Sequence, residues 1–284
     1  MKIFKTVQEM QHWSETMRQQ GETLSLVPTM GYFHDGHLSL MKHGRSLCSK
    51  LVVSLFVNPT QFGANEDLDA YPSNIQRDLD LARETGADAV FLPNRDAMYP
   101  KGFETYVELT HLPAHLCGLS RPVHFKGVAT VVTKLFNIVL PHVAIFGSKD
   151  FQQLQVIHRM TADLNMNIRI VGCPIVRESD GLAMSSRNTY LSLEERRSAL
   201  CLSQSLKKAA KSIAGGETDS RKILDELTGF IQSFPFTQID YITLCDPETL
   251  DTVDRISGGP ILLAMAVKVG KTRLIDNALI TPQG

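Results

Sequence analysis

The sequence predicts a Rossmann-like, doubly wound α/β domain over residues 1–175, followed by a smaller α+β domain over 176–284. Three observations predict it. Strand-length apolar runs alternate with segments of helical periodicity up to about residue 175. Each polar motif of this first part follows one of those runs, where ligands of a doubly wound sheet bind. After residue 176 the texture changes.

Taken in order, Thr23-Leu24-Ser25-Leu26-Val27 reads as a strand, and Leu38, Met41, Leu47 and Cys48 mark a partly periodic helix after it. Leu51 to Val57 is a nearly unbroken apolar run ending at Asn58-Pro59, as expected of a strand covered on both faces, and completes a βαβ unit. Ile75, Leu79 and Ala82 predict a helix that stops at Gly86, and Ala89 to Leu92 the next strand. Val128, Val131, Val132, Leu135 and Val139 lie on helical spacing before Pro141; Val143 to Phe146 is a strand; Leu154, Ile157 and Leu164 mark a helix; Asn167 to Val171 is the last strand. Beyond it, Pro174-Ile175-Val176 looks strand-like, and Ser192-Leu193-Glu194-Glu195 has capping-box spacing and opens one long helix running to about Ala214. A helix around Ile223 to Ile231 and strands at Ile239 to Leu244 and Ile261 to Val267 complete the smaller domain.

Lys and Arg total 29 against 30 Asp and Glu, so charge supplies no reason to expect nucleic acid or an anionic membrane as partner; small molecules become the default. Cys48, Cys117, Cys173, Cys201 and Cys245 are scattered and never spaced Cys-x-x-Cys, which argues against a disulfide framework or a cysteine zinc site and fits a reducing cytoplasm. The N-terminus lacks the apolar core of a signal peptide, and the longest apolar runs are far short of the roughly 20 residues of a spanning helix. The chain is therefore expected to be soluble and cytoplasmic.

The richest motif is His34-Asp35-Gly36-His37, within Pro28 to His37, where the first strand hands over to a helix. Helix N-termini present unpaired N–H groups and a positive dipole end, and two imidazoles there add donors toward a phosphoryl oxygen. Spacing alone leaves a metal half-site or surface residues open; the strand-loop-helix setting and the small Gly31 and Gly36 favour phosphate. His111 and His115 are four apart, but Pro113 between them disfavours a regular helix, and the pair reads as structural. Gly147-Ser148-Lys149-Asp150 places a lysine at the mouth of a strand with Asp150 as N-cap of the next helix, and Gln153 lies one turn further on. Met184-Ser185-Ser186-Arg187-Asn188 offers two hydroxyls and a guanidinium, which suit a departing pyrophosphate. Asn58, Gln61, Asp78 and Arg121 are unremarkable singly. Gly270-Lys271-Thr272 resembles the end of a P-loop, but Met265 stands where the first glycine belongs.

The ordered set Pro28-Thr29-Met30-Gly31 with His34 to His37, Phe56-Val57-Asn58-Pro59 with Gln61-Phe62, Tyr71-Pro72, Arg121-Pro122 with His124-Phe125, Gly147 with Lys149 to Gln153, and Asp180 to Asn188 resembles the pantothenate synthetase family over almost the whole chain. The resemblance implies a ligase that activates pantoate with ATP, releases pyrophosphate, and lets β-alanine capture pantoyl adenylate, leaving AMP. It implies that Met30, Gly31, Tyr32, Phe33, His34, Asp35, Gly36, His37, Gly147, Ser148, Lys149, Asp150, Val176, Met184, Ser185, Ser186 and Arg187 line the ATP site. His37, His34, Lys149, Ser185, Ser186 and Arg187 would be catalytic, with His37 as proton donor; Gln61, Gln153, Asn58 and Arg121 would hold pantoate, and Gln61 also β-alanine. Mg²⁺ would accompany ATP, the second domain would act as a lid, and the protein would be a cytoplasmic homodimer. Thr60, Ser148, Cys117 and Val123 depart from the usual family residues, so fine substrate preference is less fixed by the resemblance than reaction type. A transferase that keeps the nucleotidyl group on its product, or a silent nucleotide-binding module, fits less well: Gln61 with Gln153 suits a small acid, and His34, His37 and Lys149 suit a transition state.

Overall fold

The computed structural model describes residues 1–63, 66–68 and 70–282. Residues 1–110, 121–148 and 153–174 form one compact unit, and 111–120, 149–152 and 175–284 a second.

The first unit is built on six parallel strands: β1 (Lys2–Phe4), β2 (Leu24–Thr29), β3 (Lys50–Leu55), β4 (Ala89–Phe91), β5 (Val143–Gly147) and β6 (Arg169–Cys173), in the order β1-β4-β3-β2-β5-β6. Between them run α1 (Val7–Gln19), α2 (Asp35–Leu47), α3 (Ile75–Glu84), α4 (Arg95–Met98), α6 (His124–Val139) and α7 (Phe151–Asp163), with α5 (Cys117–Ser120) counted in the second unit. The central strands are apolar because both faces are covered; Leu51, Val52 and Val53 are fully buried, and Val27, Phe33, Met41, Val90 and Ile145 share a core with Leu51 and Val53. β2 continues through Pro28 to Thr29, two residues past the expected end, with the Thr29 hydroxyl donating to the Ser54 carbonyl at 2.8 Å.

Strand order reverses between β2 and β5: β3 and β4 lie to one side of β2, β5 and β6 to the other. That reversal is the topological switch point, and ligands of doubly wound sheets bind there, past the carboxyl ends of the strands. The histidine motif leaves β2 at this edge, and Gly147 ends β5 beside it.

The second unit holds a three-stranded antiparallel sheet, β7 (Thr237–Cys245), β8 (Ile261–Val269) and β9 (Thr272–Ile280), with α8 (Leu193–Ala199), α9 (Cys201–Ala214) and α10 (Ser220–Gln232). Leu202, Leu206, Ile223, Leu227, Ile231, Leu263, Met265 and Val267 make its core. The expected single helix from Ser192 is instead two, broken at Leu200 (φ −63°, ψ −17°). Ala199, Cys201 and Leu202 are all buried, so the bend keeps the apolar faces of both helices on the core. Gly270-Lys271 is the two-residue turn joining β8 to β9, which disposes of the P-loop likeness. Pro174-Ile175-Val176 is not a strand; it enters a hairpin-like loop closed by the Arg177–Ala183 bridge and by the Met184 N–H donating to the Val176 carbonyl at 2.9 Å. All five cysteines are buried free thiols, and burial pushes those of Cys201 and Cys245 up to about 12. Among the described residues, no helix is long and apolar enough to cross a membrane.

Candidate active site

After β2 the chain reverses through two left-handed residues, Gly31 (φ +92°) and Tyr32 (φ +53°). A side chain at Gly31 would be strained by that φ, and its Cβ would stand 3.1 Å from Asp78 Oδ2. Asp78, buried on the first turn of α3, accepts the backbone N–H of Tyr32 at 2.6 Å and of Phe33 at 2.8 Å. The strained turn is thus held by a carboxylate from a different helix.

The turn delivers His34 to the N-cap of α2. His34 Nδ1 accepts the N–H of Gly36 at 3.2 Å, and His37 Nδ1 accepts the N–H of His34 at 3.4 Å, a reciprocal cap built from two imidazoles. Their ring centroids are 4.1 Å apart. Because both Nδ1 atoms act as acceptors, the neutral rings carry their proton on Nε2. The local backbone therefore selects the tautomer that donates from the far side of each ring, at the positive end of a helix.

β3 leads into the 3₁₀ turn Pro59–Gln61, and this turn is knotted to its surroundings. Buried Asn58 donates from Nδ2 to Gln61 Oε1 and to the Gly127 carbonyl, both at 3.1 Å, while its Oδ1 accepts from the Thr60 hydroxyl at 2.9 Å and the Tyr99 hydroxyl at 2.8 Å. Burial pushes the Tyr99 phenol up, so it stays protonated and able to donate. Gln61 in turn directs Nε2 at Met30 Sδ, 3.0 Å away, tying the β3 loop to the residue that opens the histidine turn. Its carbonyl contacts His124 Nδ1 at 3.0 Å and accepts from Arg121, whose guanidinium Nε also donates to Glu66 at 2.9 Å. Burial works to raise the Glu66 carboxyl, but the hydrogen bond and charge of Arg121 outweigh it and hold the group below the usual carboxylate range. Arg121 thus braces Gln61 from behind. Gln153, on α7, is half-buried in the same unit.

In the second unit, Ser148–Asp150 form a 3₁₀ turn that runs straight into α7, with Ser148 itself still in the first unit. Asp150, the last residue of that turn, directly precedes α7, with its carboxylate 3.5 Å from Lys149 Nζ. The Lys149 carbonyl accepts from Asn277 Nδ2 at 2.8 Å. Next to Asn277, buried Asp276 takes a bidentate pair from Arg177 at 2.7 and 2.9 Å, and Arg177 also donates to the Gly181 carbonyl at 3.1 Å. β9 therefore connects the Lys149 backbone to the loop that precedes Met184. Ser185 caps the 3₁₀ helix Ser186–Tyr190 by accepting the Arg187 N–H at 3.3 Å, and Asn188 donates to Glu178 at 2.7 Å and to the Ala183 carbonyl at 3.0 Å. Arg196 closes this loop onto α8 through Glu178 and Asp180, at 2.6 and 2.7 Å.

The first unit brings together Met30, the histidine turn, Asn58, Gln61 and Arg121; the second brings together Lys149, Val176 and Met184 to Arg187. Sequence reasoning named Asp78 only as unremarkable singly, and passed over Tyr99, Asp276 and Asn277. A signal existed for Asp78, an acid on the Ile75, Leu79, Ala82 face of its helix. None existed for Asp276 and Asn277, because β9 itself went unrecognised.

Fold and site first define a class: a doubly wound α/β enzyme whose polar groups gather past the carboxyl ends of parallel strands at the switch point. Within it, residues 2–279 match the family model described as Pantoate-beta-alanine ligase. The chain is 65% identical over 283 residues to the pantothenate synthetase of Desulforapulum autotrophicum, covering 100% of both, and 54% identical to that of Geobacter sulfurreducens, covering 99% of both. Among solved structures it resembles the Thermus thermophilus pantothenate synthetase (TM-score 0.93, 40% identity, 99% of this chain and 100% of that one). It also resembles the Francisella tularensis pantoate-beta-alanine ligase complexed with beta-gamma ATP and beta-alanine (TM-score 0.83, 32% identity, 98% and 97% covered). The chain belongs to the pantoate-beta-alanine ligase family and is a ligase.

Proposed function

We propose that this enzyme condenses (R)-pantoate with β-alanine in two steps, through an enzyme-bound pantoyl adenylate. A free carboxylate acylates poorly because oxide would have to leave. In the first step a pantoate carboxylate oxygen attacks the α-phosphorus of ATP, the bond to the bridging oxygen breaks, and pyrophosphate departs. In the second the β-alanine amine attacks the acyl carbon, the bond to AMP breaks, and the nitrogen loses a proton to give the amide.

The observation that carries this reading is the tautomer of His34 and His37, fixed by the N-cap of α2 at the switch point of the sheet. Two Nε2–H donors there follow charge as it develops on the phosphoryl oxygens, with His37 giving the proton. Lys149 and Ser185 to Arg187 neutralise the departing pyrophosphate, and the backbone of Met30 to His37, Gly147 to Asp150, Val176 and Met184 line the nucleotide. Gln61 and Gln153 bind pantoate, Gln61 also contacts β-alanine, and Asn58 and Arg121 hold Gln61 in place. Mg²⁺ enters bound to the ATP phosphates as part of the substrate. The ATP and β-alanine in the Francisella complex support the same substrates here. The family resemblance supports a cytoplasmic homodimer in which residues 176–284 act as a lid.

Pantoate-dependent exchange of labelled pyrophosphate into ATP, without β-alanine, tests the first step. Pantothenate and AMP are expected in equal amounts once β-alanine is added. No exchange with pantoate, but turnover of a phosphorylated alcohol with CTP or ATP, would replace this reading with nucleotidyl transfer.

A further inference from the structure

His111 and His115, separated by Pro113, are not kept apart by it. Pro113 sits within the 3₁₀ turn Leu112–Ala114, for which His111 is the N-cap, and the tight turn carries the two imidazoles to a centroid separation of 4.7 Å. Both rings converge on one carboxylate oxygen: His111 Nε2 is 3.5 Å and His115 Nε2 3.6 Å from Asp251 Oδ1. One potential ligand atom from each residue lies within 4.8 Å of the others.

These separations are too long for hydrogen bonds. The two imidazole–carboxylate distances are close to the spacing of neighbouring ligands around a tetrahedral zinc-type ion, where bonds of about 2.0–2.1 Å leave donor atoms roughly 3.4 Å apart. Two imidazole nitrogens and a carboxylate oxygen form a donor set that suits Zn²⁺ and neighbouring divalent transition ions and is poor for Mg²⁺. His111 and Asp251 are more than half exposed, which leaves an entry path and room for water as a fourth ligand.

The supporting backbone is held independently of any ion. Buried Gln152 donates from Nε2 to the carbonyls of Leu112 and His115, at 2.8 and 2.7 Å, and accepts the Cys117 N–H at 2.9 Å, so one amide pins the histidine turn at three points. Asp251 follows a turn in which Asp246 accepts the N–H groups of Glu248 and Thr249, both at 2.8 Å, and the Asp246 N–H donates to the Asp251 carbonyl at 2.9 Å. Buried Leu250, with φ +65°, fixes the direction in which Asp251 leaves that turn. Ligand-bearing segments already ordered lose little freedom on binding.

We propose that His111, His115 and Asp251, none of which is assigned to the ligase reaction, form a zinc-class divalent metal site that ties the turn before α5 to the turn after β7, both within the second unit. The test uses the full-length enzyme, stripped with a chelator and without ATP. Titration with Zn²⁺ by calorimetry is expected to give one ion per chain with micromolar or tighter affinity, undiminished by millimolar Mg²⁺. Co²⁺ in its place is expected to give the intense visible absorption of a four-coordinate site. His111→Ala/His115→Ala is expected to abolish both signals while leaving pantothenate formation intact. Asp251→Asn, which changes one surface atom, is expected to weaken Zn²⁺ at least tenfold and guards against misfolding of the double variant. Binding weaker than millimolar in the parent, or an unchanged Zn²⁺ isotherm in either variant, overturns the proposal.

Discussion

Asp78 grips Phe33: one carboxylate oxygen takes the backbone N–H of that residue at 2.8 Å while the other takes the preceding N–H, at Tyr32, at 2.6 Å. A buried acid on α3 is therefore what keeps the left-handed Gly31-Tyr32 turn closed and α2 starting at the correct residue. Asp78→Ala strands one buried and one part-buried donor and is expected to cost about 2–4 kcal/mol of unfolding free energy. On the proposed function it should also raise KM for ATP more than KM for β-alanine. Chemical denaturation and steady-state kinetics check the two parts separately; parent-like stability would show that the turn holds itself.

The double role of His37, as cap and as donor, can be split. Glutamine at the third position of a helix still accepts from the N-cap backbone, so His37→Gln keeps the cap and loses the imidazole Nε2–H, leaving an amide that cannot give up a proton. Its stability is expected to stay within about 0.5 kcal/mol of the parent. Turnover is expected to fall by roughly 10²–10³, as for loss of one preorganised donor. Activity within twofold of the parent would remove His37 from the chemistry.

Gly127 is where α6 touches the Asn58–Gln61 turn. A Cβ there would stand 2.3 Å from the Thr60 carbonyl oxygen and 2.5 Å from the Gln61 nitrogen, both backbone atoms with no rotamer to yield. Gly127→Ala must push the turn away from the helix, and overpacking of this kind costs about 1–3 kcal/mol. Since the Asn58 amide also bonds the Gly127 carbonyl, the shift is transmitted to Gln61. The expected kinetic signature is a raised KM for pantoate with KM for ATP little changed, which initial-rate measurements at varied pantoate would detect.

What the sequence made legible follows from which interactions are local. Strands such as β3 announce themselves because burial on both faces demands an unbroken apolar run, and the His34 to His37 cap is written within four residues. Among the described residues β1 pairs only with β4, through three residues, and its two leading residues are exposed, so its pattern carries no signal. β9 mixes buried Asp276 and Asn277 into its run, polar residues retained for Arg177 and Lys149 rather than for the strand. The bend at Leu200 is set by core packing and leaves no glycine or proline to mark it. The convergence of His111 and His115 depends on a 3₁₀ turn that a regular-helix argument about Pro113 does not consider.

His142 gives stability a pH dependence of definite sign. Its Nδ1 accepts the Leu24 N–H at 3.0 Å at the start of β2, and burial, helped by the charge of Arg18, holds its pKa below the ordinary 6.5. The unfolded chain therefore takes up this proton more readily than the folded one. The His142 contribution is complete above about pH 6.5 and is lost as pH falls below it. His142→Asn retains an acceptor for Leu24 but cannot titrate. Between pH 8 and 5 the melting temperature of the parent should drop more than that of the variant, and parallel curves would assign the acid sensitivity elsewhere.

The Arg177–Asp276 pair asks for a different experiment, because its two ends are unequally buried: Asp276 is 1% exposed and Arg177 31%. Removing the arginine leaves a buried carboxylate without its countercharge, whereas removing both leaves an apolar gap that a hydrocarbon can fill. Arg177→Met is therefore expected to destabilise the protein by about 2–4 kcal/mol, toward the low end of a broken buried pair because water reaches part of the guanidinium. Arg177→Met/Asp276→Leu should recover part of that stability. Turnover should not recover with it, since Arg177 also fixes the Gly181 carbonyl, and Asp276 Oδ1 accepts the N–H of Asn277, whose amide holds the Lys149 backbone. A double variant that regains stability and activity together would show that the pair serves folding alone.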